Sequence, residues 1–94
     1  MSINLSDYEN YAEILKQLGH PQRLCIVHNL MNSGCNVTKM QQCLGVAQTN
    51  VSQHLAKLKA AGIITGKRKG NEIYYEVTSE IAKKIINAIY GEPY

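Results

Sequence analysis

The sequence predicts a mainly α-helical domain with one small β-hairpin, in the order α-α-α-α-β-β-α of a winged helix-turn-helix. Three observations predict this fold class. Residues 40–62 contain a short helical segment, a glycine turn and a longer amphipathic helix. After Gly62, the apolar residues change from helical spacing to alternation, which is typical of strands. None of the seven acidic residues lies between Ile14 and Asn71, whereas eight of the ten basic residues do.

Length and composition predict one small domain, residues 1–94, with a modest core that contains no Phe or Trp. No run of 18 apolar residues is present, so we expect no membrane span and no membrane partner. The amino terminus lacks the basic start and apolar centre of a signal peptide, and we therefore expect a cytoplasmic protein. In that compartment the three cysteines are expected to be reduced thiols.

Capping residues and glycines predict where the first two helices begin and end. Ser6 and Glu9 form a capping box for a first helix that ends at Gly19. Pro21 suits the first turn of a second helix, because its missing N–H has no partner to lose there. The second helix is expected to end at residues 32–34 and to bury one apolar stripe, formed by Leu24, Val27, Leu30 and Met31.

The third and fourth helices are predicted to form the helix-turn-helix. Thr38 and Gln41 make a capping box for a short third helix, and Gly45 supplies the turn that follows it. The fourth helix has an apolar side formed by Val51, Leu55 and Leu58. We predict an opposite, acid-free side formed by Thr49, Asn50, Gln53, His54 and Lys57. Short polar side chains there suit base edges and phosphates in a major groove, although an ordinary solvated face has the same pattern.

Alternating residues after Gly62 predict a hairpin, or wing. One strand begins at Ile63, and the second runs from Glu72 to Val77. Between them, Gly70 and Asn71 suit a turn that needs positive φ. We expect three consecutive cations at the tip of this hairpin, where they would lie beside a phosphate strand or in a minor groove: Lys67, Arg68 and Lys69. The alternative is a charged tip that serves only solubility.

The last helix, capped by Thr78 and Ser79, has an apolar band too wide for a single shallow contact. The band comprises Ile81, Ala82, Ile85, Ile86, Ala88, Ile89 and Tyr90. Because so short a chain cannot bury both this helix and the first one, we predict a homodimer through the two terminal helices. Two recognition helices related by a two-fold axis would read a pseudo-palindrome in successive major grooves.

The uneven charge indicates the class of partner. The middle of the chain carries eight positive and no negative side chains, which would attract a phosphate backbone. A merely soluble surface usually mixes both signs. A winged-helix module that binds another protein is the alternative, and it would lack salt-dependent duplex binding. No arrangement of nucleophile, histidine and acid and no glycine-rich phosphate loop indicates an enzyme, and no cofactor is expected.

Four motifs resemble the ArsR/SmtB family of winged helix-turn-helix transcriptional repressors. They are His20 to Leu24, Gln48 to Leu55, Leu58 to Ile64, and Lys67 to Gly70 followed by Tyr74 and Tyr75. The resemblance covers roughly residues 8 to 90 and implies a homodimeric repressor that leaves its operator DNA when an effector arrives. Ala47 departs from the family pattern, which usually has Ser there as the cap of the recognition helix.

The family's metal and thiol sites are not reproduced, and so the effector stays unknown. By resemblance, the cysteines of one metal site correspond to Asn36 and Thr38, and the last helix lacks the His and Asp ligands of the other. We expect no metal site. Thiol-responsive members pair cysteines on the second and last helices, where this chain has His28 and no cysteine. A thiol-based redox or persulfide response is therefore kept as an alternative through Cys25 or Cys35, whereas Cys43 is expected to be packed and inert.

Residues predicted to contact DNA come from the recognition helix and the wing. Those expected at base edges and nearby phosphates are Gln48, Thr49, Asn50, Ser52, Gln53 and His54. Those expected at the backbone are Lys57, Lys67, Arg68, Lys69 and Asn71. For Arg23 two roles stay open, a phosphate contact or a structural hydrogen bond to a carbonyl or carboxylate.

Overall fold

The structure, a computed structural model, describes residues 4–33 and 48–91. Its elements are α1 (Leu5–Leu18), α2 (Pro21–Ser33), α3 (Gln48–Ala60), β1 (Ile64–Lys69), β2 (Glu72–Val77) and α4 (Glu80–Tyr90). The predicted third helix and the turn at Gly45 lie outside the described residues. The described elements therefore follow the predicted order on either side of that segment.

α1 begins earlier than the sequence predicted. Asn4 has extended backbone angles and is the N-cap, and its Oδ1 accepts from the backbone N–H of Ser6 at 3.1 Å. Ser6 also donates its hydroxyl to the same oxygen, so it does not itself cap the helix. The predicted capping box at Ser6 and Glu9 is thus wrong, because Asn4 supplies an equally good acceptor two residues earlier. The predicted end at Gly19 is confirmed.

α2 crosses the middle of the core. Ile26 and Val27 are fully buried and Leu30 nearly so, whereas Leu24 and Met31 are half-buried at the edge. The predicted stripe therefore omitted Ile26 and gave too much weight to its two outer members. At the far end of the helix, the ring of His28 stacks on that of Tyr90 at 3.7 Å, which joins α2 to the end of α4.

α3 ends in a Schellman motif centred on Gly62, whose φ is +77°. The N–H of Gly62 donates to the carbonyl of Lys59, and that of Ile63 donates to the carbonyl of Leu58. The side chains of Leu58 and Ile63 are both fully buried, which supplies the apolar contact typical of this motif. The chain thereby leaves the helix in the direction that β1 requires.

β1 and β2 form an antiparallel hairpin whose register pairs Ile64 with Val77 and Lys69 with Glu72. The connection is therefore only the two residues Gly70 and Asn71, and Gly70 alone of the pair has positive φ, as in a type II′ turn. Gly66 lies within β1 opposite Tyr75, and an added Cβ there would come within 3.0 Å of both Ile73 and Tyr75. The hairpin thus packs the Tyr75 ring over a glycine.

One hydrophobic core joins all the described elements except the outer half of the hairpin. It contains Leu18, Ile26, Val27, Leu30, Val51, Leu55, Leu58, Ile63, Ile64, Val77, Ala82 and Ile86. Ser79 caps α4 by accepting from the N–H of Ala82, as predicted, and Gly91 ends the helix with φ +64°. Within residues 4–33 and 48–91, every helix is too short or too polar to cross a lipid bilayer.

Candidate nucleic-acid interface

α3 has the two faces that the sequence predicted. Val51, Leu55 and Leu58 are buried against the core. On the rest of the helix the polar side chains point into solvent, namely those of Asn50, Ser52, Gln53 and Lys57. No acidic residue is present on α3. The helix therefore offers hydrogen-bonding groups and positive charge on a surface that it does not need for packing.

His54 does not lie on the opposite side of α3, where the sequence analysis placed it. At about 100° per residue it lies only about 40° around the helix from Leu58, and its ring turns toward α2. Its Nε2 is 2.8 Å from Oε1 of Gln22, and its Nδ1 is 3.4 Å from Nη1 of Arg23. Because the amide oxygen can only accept and the guanidinium can only donate, these two contacts fit a neutral His54 that carries its proton on Nε2.

The surroundings of His54 favour this neutral form. Burial lowers its pKa from the ordinary histidine value, and His20, Arg23 and Lys57 lower it further by electrostatic repulsion of the charged form. The His20 ring lies 4.7 Å from that of His54, and its own Nδ1 accepts from the backbone N–H of Gln22. Polar residues at the start of α2 thus contact the middle of α3 through His54; they are His20, Gln22 and Arg23.

Arg23 is buried and has a structural role. It is only 9% exposed, and its Nε donates to the carbonyl of Gln17 at 2.7 Å. One guanidinium therefore ties the end of α1 to α2 and, through His54, to α3. Of the two roles left open by the sequence, the hydrogen bond to a carbonyl is the one observed. The position of Arg23 in the sequence, two residues after Pro21 in the first turn of α2, did not decide between the two roles.

The three wing cations lie within β1 and not at the tip. Lys67, Arg68 and Lys69 are exposed and pair across the hairpin with Tyr74, Ile73 and Glu72, respectively. The expectation of a cationic tip is wrong because the two-residue turn extends the strand through Lys69. Asn71, in the turn itself, is exposed.

Alternation divides these cations between the two faces of the hairpin. Lys67 and Lys69 share one face, where Nζ of Lys67 is 3.4 Å from Glu76 and Nζ of Lys69 is 5.5 Å from the centre of the Tyr74 ring. Arg68 lies on the other face beside Ile73, and its Nε donates to the carbonyl of Gly70 at 3.4 Å. A single flat surface can therefore meet either the two lysines or the arginine head-on.

The remaining predicted site residues are two at the start of α3 and the cysteines. The side chains of Gln48 and Thr49 lie outside the described part of the chain, as do Cys35 and Cys43. Cys25 is half-buried on α2, and Nδ2 of Asn29 lies 3.2 Å from its sulfur. In the described ranges, no three His, Cys, Asp or Glu side chains are grouped so that they could hold a metal ion.

Comparison with known proteins gives one consistent family. The model of the bacterial regulatory proteins of the arsR family matches residues 20–65. The transcriptional repressor PagR of Bacillus anthracis is 38% identical over 88 residues, which cover 93% of this chain and 88% of PagR. The biofilm growth-associated repressor of Xylella fastidiosa is 35% identical over 84% of this chain and 69% of its own length.

Solved structures agree with these sequence matches. The crystal structure of PagR superposes with a TM-score of 0.83 at 37% identity, covering 92% of this chain and 99% of PagR. Reduced HlyU from Vibrio cholerae superposes with a TM-score of 0.87, covering 92% and 90% of the two chains. Its identity is only 23%, so that likeness concerns the fold alone.

Proposed function

The chain belongs to the ArsR family of bacterial regulatory proteins, and from that premise we propose that it is a dimeric, sequence-specific DNA-binding repressor of transcription. The proposal includes a cytoplasmic location, with operator DNA as the partner. Its main support is the exposed, acid-free face of α3 beside a basic hairpin. PagR and the Xylella protein, which are 38% and 35% identical to this chain over 93% and 84% of its length, are both named repressors.

We propose α3 as the recognition helix. Asn50, Ser52 and Gln53 present short hydrogen-bonding side chains near its amino-terminal end, the part of such a helix that meets base edges. Gln48 and Thr49 extend this set by sequence. Lys57, one turn further on, is assigned to the phosphate backbone. His54 is assigned both to the edge of this surface and to holding the angle of the helix, since its ring nitrogens face Gln22 and Arg23.

The wing is proposed to bind the backbone beside the recognition helix. Its charges are Lys67, Arg68 and Lys69, with Asn71 at the turn. Lys67 is partly neutralised by Glu76 in the free protein, so its full contribution to DNA binding requires that ion pair to open. Both side chains are largely exposed, and an exposed pair of this kind contributes little stability, about 0–1 kcal/mol. The pair therefore opposes DNA binding only weakly.

The terminal helices are proposed to form the dimer. Eight large apolar side chains are exposed in the described part of the chain, and six lie on α1 or α4: Leu5, Tyr8, Tyr11, Leu15, Ile89 and Tyr90. α1 packs against α4 within the chain, so the exposed residues belong to neighbouring helices. Such a surface is typical of an interface between subunits.

The experiment that tests DNA binding starts with selection of bound sites from random duplex DNA. The selected duplex is then titrated by fluorescence anisotropy at several salt concentrations. Replacing Lys67, Arg68 and Lys69 by Ala is expected to weaken binding to every sequence. Because each phosphate contact contributes about 0.9 to the slope of log K against log salt concentration, losing three contacts would reduce the magnitude of that slope by at most about 2.7. The ion pair of Lys67 makes the loss smaller than this maximum.

A matched control removes two cations that lie outside the proposed DNA-binding surface. Lys16 on α1 and Lys84 on α4 are both exposed, and their replacement by Ala is expected to leave the salt slope unchanged. Selection that enriches no sequence would overturn specific DNA recognition. An unchanged affinity and slope in the triple variant would overturn the assignment of the wing.

A further inference from the structure

The two faces of the wing differ in net charge. On one face, the register places two glutamates, Glu72 and Glu76, among the two lysines. Nζ of Lys67 is 3.4 Å from Glu76. Nζ of Lys69 lies 5.5 Å from the centre of the Tyr74 ring, and the hydroxyl of that ring donates to Glu72 at 3.0 Å. The two positive charges of this face are therefore balanced by two negative charges on the same face.

Arg68 lies on the other face, where it is the one charged side chain among the paired residues 64–69 and 72–77. Its neighbour across the hairpin is Ile73, which is apolar and yet 41% exposed. Nε of Arg68 donates to the carbonyl of Gly70 at 3.4 Å, so the side chain runs along the strand toward the turn. The end of the wing thus carries a guanidinium that no carboxylate on its own face of the hairpin neutralises.

An exposed arginine beside an exposed apolar side chain fits a minor groove better than it fits a phosphate strand. A guanidinium is planar and less strongly hydrated than an ammonium group, so it enters a narrow groove at a lower cost in desolvation. The minor groove of A·T-rich DNA is narrow, and its strong negative potential attracts arginine. Proteins that bind there often place apolar side chains next to such basic residues. The lysines of the other face, as compact and hydrated charges, suit exposed phosphates.

We propose that Arg68 enters an A·T-rich minor groove next to the major groove that α3 occupies, with Ile73 against the wall of that groove. Arg68, and neither lysine, then gives the wing a base preference. The amino group of guanine lies in the minor groove and would obstruct the guanidinium there, which makes the preference one for A·T over G·C. This inference rests on the DNA-binding function proposed above and adds to it a second position at which the sequence is read.

The test uses inosine to separate the minor groove from the major groove. In the duplex obtained by selection, short blocks of A·T pairs are replaced in turn by G·C or by inosine·C, and affinities are measured by fluorescence anisotropy. An inosine·C pair has the major-groove groups of G·C but lacks the amino group in the minor groove. For the wild-type protein we expect one block at which G·C weakens binding about tenfold and inosine·C restores most of the affinity.

Single substitutions of the three cations assign this effect to one residue. Arg68→Ala is expected to bind the A·T and G·C versions of that block equally. Lys67→Ala and Lys69→Ala each remove one positive charge from the same strand and are the matched controls. Both are expected to bind every duplex more weakly while they keep the wild-type ratio of affinities for A·T and G·C. All three side chains are exposed, and circular dichroism checks that each variant is folded.

Four results would overturn the inference. If G·C and inosine·C weaken binding equally at every block, the sequence is read in the major groove alone. If Arg68→Ala keeps the preference for A·T, another residue is responsible. If either lysine variant loses the preference as Arg68→Ala does, the effect is one of charge and not of the guanidinium. These three results leave DNA binding intact, whereas a wild-type protein that selects no duplex at all would overturn the proposed function and this inference together.

Discussion

His54 makes the stability of the fold depend on pH, because it packs α3 against α2 in its neutral form. Its pKa is lowered by burial first and then by His20, Arg23 and Lys57. In the unfolded chain a histidine has a pKa of about 6.5, so the unfolded state takes up this proton first as the pH falls. The stability contributed by neutral His54 is therefore complete above about pH 6.5 and is lost as the pH falls toward the folded pKa.

We predict that the free energy of unfolding of the wild-type protein decreases between about pH 7.5 and pH 5 more steeply than that of His54→Gln. Gln keeps a donor and an acceptor but does not titrate. Urea denaturation at a series of pH values measures the difference, and the NMR shift of the His54 ring proton follows its titration directly. A titration midpoint of the His54 ring at or above about pH 6.5 would contradict the lowered pKa of His54. The same change of unfolding free energy with pH in both proteins would contradict it as well.

At Gly62, the cost of a positive φ can be measured without a contribution from side-chain clashes. Its φ of +77° is unfavourable for any residue with a Cβ, yet an added Cβ would meet no atom within 4 Å. We predict that Gly62→Ala lowers the free energy of unfolding by about 1–2 kcal/mol and that Gly62→Asn lowers it less, because Asn tolerates the left-handed region. Urea midpoints of the three proteins provide the measurement. Equal stability of Ala and Gly at this position would mean that the Schellman motif does not set the direction of β1.

At the scale of elements, the bounds of the helices and strands followed from local chemistry wherever one residue dominated. Gly19, Gly62 and Ser79 were predicted correctly because each has a conformational or capping role that few neighbours could take. The first cap was missed because Asn4 and Ser6 offer the same kind of acceptor. The wing cations were misplaced because a glycine precedes them as well as follows them, and Gly66 turned out to make room for Tyr75.

Contacts between elements were less predictable. The partners of His54 are 31 and 32 residues away in the chain, and periodicity within α3 contains no information about them. What the sequence did provide was the angle around the helix, which places His54 next to Leu58. The candidate site could thus be predicted as a surface, by its exposed polar residues and its lack of acids. The residues that hold this surface in position required the packing of α2 against α3.

Arg23 is the residue through which three helices are joined, and its loss is predicted to affect stability more than electrostatics. Arg23→Met leaves the carbonyl of Gln17 without its 2.7 Å donor and removes one of the two partners of His54, leaving Gln22. We expect a loss of about 1–3 kcal/mol in the free energy of unfolding, measured by urea denaturation. Arg23→Lys keeps the charge without the fork and is expected to lose a similar amount. If Lys restored full stability, the charge and not the hydrogen-bond geometry would be responsible.

At the scale of the whole molecule, most of the apolar side of α1 is not covered by the rest of the chain. Leu5, Tyr8, Tyr11 and Leu15 follow one another at steps of three and four, which places them on one side of the helix, and all are exposed. Of the apolar residues of α1, only Leu18 is buried in the chain's own core, and Ile14 is partly buried against it. A stripe of this kind in a domain with so small a core is stabilised when a second copy covers it. Dimerisation would also set the spacing of two α3 helices for successive major grooves.

We therefore predict that Leu15→Glu produces a folded monomer with greatly reduced affinity for a two-half-site duplex. Leu15 is 54% exposed, so a glutamate there faces water in the monomer but would be buried without a partner in the dimer. Light scattering after size exclusion measures the mass, circular dichroism checks the fold, and anisotropy measures duplex binding. Asn10→Glu places the same charge on the opposite, exposed side of α1 and is expected to remain dimeric. A dimeric Leu15→Glu would locate the interface elsewhere, whereas a monomeric wild-type protein that still binds the duplex tightly would mean that one copy suffices for recognition.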